Sequence, residues 1–312
     1  MTSHPRTVGP ALRPAWHSLP DRLQTVITER LGSPVHAAIG QTGGFTPGLA
    51  ARLRLANGRR FFLKAIPQAH PLAGAYRHEA DVAAQLPPLV PAPMLRWHGT
   101  CAGWIALVFD DIAGRHPDLS PHAADLTTVL ATITTVATVP PPSGLPSVTD
   151  TRSTWLHGWD AFAADPPTDL PDWAAARLPD LAAAEKTWTA HAEGTTLVHG
   201  DLRPDNLLLT DRAAMAVDWA HATVGAAWLD LADLIPQMIM AGHDPESAET
   251  RLAHLPAWRD TPPEAITGYT AAYAGYWTRM SHQPDPAGVP HLRTYQRRAA
   301  QAALTWITHR WR

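Results

Sequence analysis

The sequence predicts an α+β fold of two lobes, in which a small antiparallel β-sheet lobe with one inserted helix precedes a mainly α-helical lobe. Short apolar runs separated by turn residues, typical of strands, fill most of the first 110 residues. Longer segments rich in helix-forming residues fill most of the rest, and one strand pair interrupts them. A chain of 312 residues is long enough to give each lobe its own core. We therefore expect an N-terminal lobe over residues 1–110 and a C-terminal lobe over residues 111–312.

Turn and breaker residues define the elements of the first lobe. A helix is expected over residues 18–32 and a second over residues 73–86, which ends before two prolines. The Asn57-Gly58 pair is a strong β-hairpin signal between two apolar runs. The expected strands are residues 35–41, 49–55, 60–66, 94–99 and 104–110.

The second lobe is expected to be helical apart from one hairpin. Its predicted helices are residues 120–138, 153–164, 173–192, 226–241, 263–280 and 290–310. The proline-rich residues 139–147 and 165–172 are expected to be loops between them. The strand pair is NLLLT (residues 206–210) and AMAVDW (residues 214–219), with a turn at Asp211-Arg212.

Composition and charge limit the classes of partner. The net charge of −3 argues against a nucleic-acid partner, and the absence of a long apolar run argues against a membrane partner. The lone Cys101 and the lack of an apolar signal segment favour a cytoplasmic location. Residues 1–110 carry 11 Lys+Arg and 5 Asp+Glu (+6), and residues 111–312 carry 14 and 23 (−9), which suggests that the halves face differently charged ligands. The oligomeric state is left open.

The predicted hairpin places an amide side chain and a carboxylate side chain together. Asn206 begins its first strand and Asp218 ends its second, so both side chains should emerge at the same end. An amide oxygen beside a carboxylate suits a hard divalent cation, in the first place Mg²⁺. Asp201, in the loop just before, is placed to accept a proton from an attacking hydroxyl. This combination is what phosphoryl transfer from a nucleotide requires.

Two motifs resemble those of a known family. HGDLRPDN (residues 199–206) is similar to the catalytic loop of the protein-kinase superfamily, in the form found in the aminoglycoside phosphotransferase and choline-kinase-like group. AVDWAHATVGAAWLDLADL (residues 216–234) resembles the second motif of that group, with Asp218 at the metal-binding position. The resemblance implies a bilobal protein-kinase-like fold, ATP and Mg²⁺ as cofactors, and Asp201 as the catalytic residue. It also implies structural support of the catalytic loop by His199 and Asp230.

The first lobe contains a candidate cation for the nucleotide phosphates. Lys64 lies on a predicted strand and is the only lysine among the first 185 residues. Because arginine and lysine are not interchangeable at a phosphate, a lysine in a region that otherwise uses arginine indicates a specific role. Glu79, on the inserted helix, could pair with it and hold it in place. These are the positions of the strand lysine and the helix glutamate in the family that the chain resembles.

The same resemblance implies two further nucleotide contacts. TGGFTPG (residues 42–48) stands where the family has its nucleotide-covering loop, so Gly43 and Gly44 are candidates for close backbone approach. The loop departs from the G-x-G-x-x-G pattern. LVFDDIAG (residues 107–114) matches the hinge, where adenine would bond to main-chain groups of Phe109, Asp110 and Ile112.

The acceptor is expected to be the hydroxyl of a small molecule. Only 12 positions separate Asp218 from Asp230 and no A-P-E motif follows, which leaves no shelf for a peptide. The acidic surplus of the second half would suit an aminoglycoside, an amino sugar or an amino alcohol, whereas the arginines of the last helix would suit an anionic acceptor. The candidate acceptor residues are Asp160, Asp165, Asp169, Trp155 and Trp159.

The sequence thus predicts an ATP-dependent phosphotransferase that transfers the γ-phosphate to a small-molecule hydroxyl. A kinase of another small metabolite, such as a sugar or a different antibiotic, is the first alternative. A catalytically inactive nucleotide-binding module, a protein kinase and a nucleotidyltransferase are the others.

Overall fold

The computed structural model describes residues 12–312 and confirms the predicted α+β fold. Five strands form one antiparallel sheet, and their bounds lie within two residues of the predicted ones. They are β1 (Val35–Gly40), β2 (Leu49–Leu55), β3 (Arg60–Pro67), β4 (Leu95–Cys101) and β5 (Trp104–Asp110), and their order across the sheet is β1-β2-β3-β5-β4. The turn between β2 and β3 contains Gly58 with φ of +83°, as the Asn-Gly signal predicts.

Two helices cover the two faces of this sheet. Helix α1 (Asp21–Leu31) packs Leu23 and Ile27 against one face, and helix α2 (Ala73–Ala83) packs Tyr76 and Ala80 against the other. Ile66 of β3 belongs to the cluster around α2. Because side chains alternate along a strand, Lys64 lies on the same face of β3 as Ile66 and points toward α2.

The second lobe is mainly helical. Its helices are α3 (Asp125–Thr138), α4 (Val148–Arg152), α5 (Gly158–Ala164), α6 (Asp172–Ala175), α7 (Leu178–Ala184), α8 (Thr189–Ala192), α9 (Leu229–Met240), α10 (Pro245–Leu252), α11 (Pro256–Arg259), α12 (Pro263–Ser281) and α13 (Leu292–Arg310). They surround one large apolar core, in which four tryptophans are almost completely buried: Trp159, Trp188, Trp219 and Trp306. Within residues 12–312, no helix has the length and apolar character needed to cross a membrane.

Two short antiparallel strand pairs lie among these helices. The predicted hairpin consists of β7 (Leu207–Leu209) and β8 (Ala214–Ala216). A second pair, β6 (Thr196–Val198) with β9 (Thr223–Gly225), was not predicted. Each of its strands has only three residues, too few for a periodic pattern, and long-range pairing defines them. Helices α10 and α11 were also not predicted.

Three predicted helices have different bounds because tertiary contacts interrupt them. The helix expected over residues 120–138 begins only at Asp125, and that expected over residues 173–192 is divided into α6, α7 and α8. The segment expected to be helical over residues 153–164 is helical only in α5, and α4, which was not predicted, ends just before it at Arg152. Glu185, just after α7, accepts backbone hydrogen bonds from Trp159 and Asp160 at 3.0 and 2.5 Å. A distant carboxylate thereby satisfies donors at the start of α5, as a local capping residue would otherwise do.

A buried ion pair fixes α4 against α9. Arg152 at the end of α4 bonds to Asp233 at 2.9 and 3.2 Å, and the Tyr269 hydroxyl contacts both side chains. Arg152 and Asp233 are 2% and 3% exposed, so neither charge can be satisfied by water. Removing one partner from such a pair leaves an uncompensated buried charge.

Arg152→Met is therefore expected to lower the free energy of unfolding by about 3–5 kcal/mol, measured by urea denaturation. The matched control is Arg259→Met, which removes an arginine from the exposed Arg259–Asp260 pair and should leave the stability almost unchanged. Equal effects of the two substitutions would show that the Arg152 pair does not stabilise the fold.

Candidate active site

A lysine from the first lobe meets a carboxylate from the second lobe at the centre of the cleft. Lys64 Nζ lies 2.5 Å from Glu79 Oε2 and 3.0 Å from Asp218 Oδ1. Burial acts to lower the pKa of Lys64, but Asp218 and Glu79 outweigh it and hold this pKa well above its usual value. Burial likewise acts to raise the pKa of Asp218, and Lys64 overcomes it and lowers that pKa to about 2. Lys64 and Asp218 are therefore both charged at neutral pH.

The hairpin brings Asn206 next to both candidate carboxylates. Asn206 Nδ2 donates to Asp201 Oδ2 at 2.8 Å and to the Asp201 carbonyl oxygen at 2.9 Å. The backbone N–H of Val217, the residue before Asp218, donates to the carbonyl oxygen of Asn206 at 2.9 Å. A continuous set of contacts thus joins Lys64 to Asp201.

Asp201 has the properties of a proton acceptor. Burial raises its pKa, although Arg203 acts in the opposite direction from 3.1 Å. A carboxylate with a raised pKa is a stronger base than a free aspartate while it still ionises. Its Oδ2 is oriented by Asn206, so the geometry of the group is fixed before any acceptor binds.

His199 and Asp230 hold the backbone of the catalytic loop. Asp230 accepts hydrogen bonds from the N–H groups of His199 and Gly200 at 2.8 and 2.9 Å. The buried His199 ring has its pKa lowered to about 4 by desolvation, so it is neutral at pH 7. Its Nε2 contacts the carbonyl oxygen of Val217 at 3.0 Å, and its Nδ1 lies 3.3 Å from the Asp201 nitrogen. A neutral ring that donates from Nε2 and accepts at Nδ1 satisfies both contacts.

Two backbone positions of the site lie in the left-handed region. Gly200 has φ of +81°, and a Cβ there would lie 2.5 Å from the carbonyl oxygen of His221, so only glycine fits. Asp218 has φ of +66°, an uncommon conformation for a residue with a side chain. Such conformations concentrate at functional sites because the surrounding structure must enforce them.

The chemistry of the donor set fits a magnesium ion. Among residues 12–312, no group of three or more His, Cys, Asp and Glu is placed to hold a metal. Mg²⁺ does not need such a cage, because it commonly uses one or two protein oxygen ligands together with substrate phosphates and water. Asp218 is ionised, its side chain is 35% exposed, and only its Oδ1 contacts Lys64. Asn206 uses its amide nitrogen toward Asp201, which leaves its amide oxygen for a cation.

Some main-chain groups of the predicted hinge and glycine loop form hydrogen bonds within the protein. The N–H of Asp110 donates to the carbonyl oxygen of Met94 at 3.0 Å, and its carboxylate pairs with Arg96. Phe109 is paired with strands on both sides. The main-chain groups of residues 111–112 therefore remain as hinge candidates for binding adenine. Gly44 has φ of +77°, and the carbonyl oxygen of Gly43 accepts a hydrogen bond from Arg13 Nη2.

The predicted acidic acceptor residues do not meet Asp201. Asp160 is exposed and pairs with Lys186 at 2.6 Å, and Asp169 lies 3.0 Å from His282. Asp165 is exposed at the end of α5. Within the described residues 12–312, none of these three forms a hydrogen bond or ion pair with Asp201.

The two predicted tryptophans lie in different environments. Trp159 is 0% exposed and its Nε1 donates to the carbonyl oxygen of Ala271 at 2.7 Å. It has no exposed ring face for an acceptor, and the structure does not support the prediction for this residue. Trp155 lies between α4 and α5, partly exposed, with its ring 4.6 Å from that of Tyr276. The two tryptophans are therefore not one helical turn apart.

An aromatic row beside Asp201 was not predicted. Neighbouring rings in this row are 4.6–5.7 Å apart, and in order its members are Phe45, Tyr295, Trp277, Tyr276 and Trp155. The Arg203 guanidinium lies over the first two rings at 5.3 and 5.4 Å. The Asp201 carboxylate acts electrostatically on Tyr276, whose pKa burial raises to about 12. Arg203 stands in the catalytic motif and Phe45 in the glycine loop, but no sequence signal joins them to α12 and α13.

The fold and the family match together define the class of protein, a phosphotransferase. The profile of the APH phosphotransferase enzyme family matches residues 49–280, and the chain belongs to this family. The predicted family resemblance and enzyme class are confirmed at this level.

Several solved structures have a similar fold. A choline/ethanolamine kinase family protein from Mesorhizobium loti has a TM-score of 0.59 and 15% identity, covering 88% of this chain and 87% of that chain. A macrolide 2'-phosphotransferase from Brachybacterium faecium has a TM-score of 0.54 and 18% identity, covering 90% and 96%. An amicoumacin kinase in complex with AMP-PNP, Ca²⁺ and Ami has a TM-score of 0.54 and 10% identity, covering 90% and 92%. No curated protein sequence matches the chain.

Proposed function

We propose that this chain transfers the γ-phosphate of ATP to a hydroxyl of a small molecule with the help of Mg²⁺. The observation that carries the proposal is the continuous set of contacts from Glu79 and Lys64 through Asp218 and Asn206 to Asp201. This set of contacts supports a site in which a phosphate-binding cation, two metal ligands and a base act together. The amicoumacin kinase complex, which holds AMP-PNP and a divalent cation, supports the choice of cofactors.

Each residue has a defined task in the proposed reaction. Lys64 binds the α- and β-phosphates, while Asn206 and Asp218 hold the metal through oxygen atoms. The metal, when bound, would neutralise the charge of the phosphates. Asp201 orients the acceptor hydroxyl and takes up its proton while the hydroxyl oxygen bonds to the γ-phosphorus and the bond to ADP breaks. Asp230 keeps the loop in place through its two backbone contacts.

We infer an acceptor that combines an amine-bearing part with an apolar body. The acidic residues that first suggested a polycationic aminoglycoside, Asp160 and Asp169, are exposed and already contact Lys186 and His282. Two rings of the aromatic row, Tyr276 and Trp155, are partly exposed, and Asp201 acts electrostatically on Tyr276. Such ring faces pack against apolar surfaces and attract amines. An amino sugar or amino alcohol carried on an apolar ring system matches this surface better than a polar, multiply charged oligosaccharide.

The test is ADP release by the purified chain with ATP, Mg²⁺ and a panel of macrolides, aminoglycosides, simple amino alcohols and sugars. We expect turnover with an acceptor that has an apolar body, and a KM for that acceptor about 2- to 10-fold higher in Tyr276→Ala. Tyr276→Phe keeps the ring and should keep the KM, and the KM for ATP should be unchanged in both. ADP release restricted to aminoglycosides and insensitive to Tyr276→Ala would contradict this acceptor class. Release of AMP instead of ADP would contradict phosphoryl transfer itself.

A further inference from the structure

The segment before α1 crosses the mouth of the cleft. The N–H of Leu12 donates to the carbonyl oxygen of Gly288, between α12 and α13, at 2.9 Å. The next residue, Arg13, donates from Nη2 to the carbonyl oxygen of Gly43 at 2.5 Å. The same Nη2 lies 3.1 Å from the position that a Cβ on Gly44 would occupy. The guanidinium therefore lies against the glycine loop while its backbone is attached to the second lobe.

Arg13 is a partly buried cation that forms no ion pair within residues 12–312. Its guanidinium lies close enough to Asp218 and Tyr76 for both to act on it electrostatically, but burial dominates and lowers the pKa of Arg13. Within residues 12–312, its Nε is buried and has no hydrogen-bond partner. By contrast, Arg152 and Arg310 pair with carboxylates at 2.9 and 2.7 Å. A partly desolvated guanidinium with an unpartnered buried Nε–H gains a favourable contact when an anion binds.

A phosphate is the anion whose chemistry fits this position. Arg13 lies beside the backbone of Gly43 and Gly44 and faces the cleft region that Lys64 and Asp218 border. The planar guanidinium fork bonds to phosphate oxygens in a geometry that lysine cannot reproduce.

We propose that Arg13 is a phosphate-binding residue that supplies a second cation, beside Lys64, to the phosphates of the nucleotide. The inference rests on the proposed function and extends it, because Arg13 lies outside the family match over residues 49–280. The N-terminal segment then completes the nucleotide site as well as joining the two lobes. If Arg13 instead only obstructed the cleft, its removal would strengthen nucleotide binding.

The experiment is calorimetric titration of the full chain with AMP-PNP in Mg²⁺ and, separately, with adenosine, which lacks phosphates. Arg13→Met should weaken AMP-PNP binding about 10- to 100-fold, as expected when a charge-assisted hydrogen bond is lost. Adenosine binding should not change. Arg13→Lys, which keeps the charge but not the fork, should lie between wild type and Arg13→Met. Arg22→Met is the matched control, because Arg22 is an exposed arginine of the neighbouring α1 and its removal should have no effect.

Each contrary result has a distinct meaning. AMP-PNP affinity in Arg13→Met equal to that of wild type, or higher, would overturn the role of Arg13 while leaving the proposed function intact. An equal loss of AMP-PNP and adenosine affinity would show a structural role and overturn phosphate binding. A wild-type chain that does not bind AMP-PNP at all would overturn the proposed function and this inference with it. Thermal unfolding without nucleotide confirms that each variant is folded.

Discussion

Asp201→Asn is expected to lower kcat by about 10²–10⁴-fold, the usual contribution of a general base. The substitution keeps the shape of the side chain, and its amide oxygen can still accept the hydrogen bond from Asn206, so the loop should be preserved. What is lost is the ability to take up the proton of the acceptor hydroxyl. The measurement is steady-state ADP release with a saturating acceptor, together with the affinity for AMP-PNP, which should not change.

Asp205→Asn provides the matched control for this prediction. Asp205 lies four residues away in the same loop and contacts Arg203 at 3.3 Å, so its replacement also removes one carboxylate from the neighbourhood. Its kcat should remain within a few-fold of wild type. Comparable losses in Asp201→Asn and Asp205→Asn would indicate a general electrostatic effect of the loop and would remove Asp201 from the role of base.

Asp218→Asn is expected to abolish the dependence of nucleotide binding on Mg²⁺. Asn tolerates the left-handed backbone that Asp218 adopts at φ of +66°, so the substitution removes the charge with little backbone cost. The metal would then lose its anionic protein ligand, and Lys64 would lose one of the two carboxylates that it contacts. Calorimetric titration with AMP-PNP should therefore give the same affinity with Mg²⁺ as without it, whereas the wild type should bind more tightly with Mg²⁺.

An exposed aspartate of the same hairpin serves as the control. Asp211 lies at the turn between β7 and β8, away from the strand ends that form the site. Asp211→Asn should retain the full effect of Mg²⁺. A magnesium effect that survives in Asp218→Asn would show that this carboxylate does not hold the metal.

Short-range signals predicted much of the fold and the centre of the site. Asn57-Gly58 predicts its hairpin because the turn needs a left-handed backbone position, which Gly58 adopts without strain at φ of +83°. The spacing from Asp201 to Asn206 predicts their proximity because a five-residue loop cannot separate them widely. Lys64 was identifiable as the one lysine in a region that otherwise uses arginine, and Glu79 as its partner one helix later. The structure joins these residues through contacts of 2.5–3.0 Å.

Long-range contacts produced the differences between the predicted and the observed helices. Helix α5 begins where Glu185, 26 residues away from Trp159, accepts its backbone N–H, and no local residue signals this start. Trp155 and Trp159 show the same limit of sequence-based prediction, because they have the same residue type and similar neighbours in sequence. Trp159 is completely buried because α5 packs against α12.

The sequence by itself determined the class of chemistry, because the residues of the phosphotransferase motifs lie within short segments whose backbone fixes their relative positions. The tertiary structure alone decided what surrounds that chemistry. Arg13, Phe45 and Tyr295 come from three distant parts of the chain, and their meeting near Asp201 and Asp218 depends on how the two lobes pack. No spacing in the sequence encodes such contacts, since burial and packing of whole helices and loops bring these side chains together.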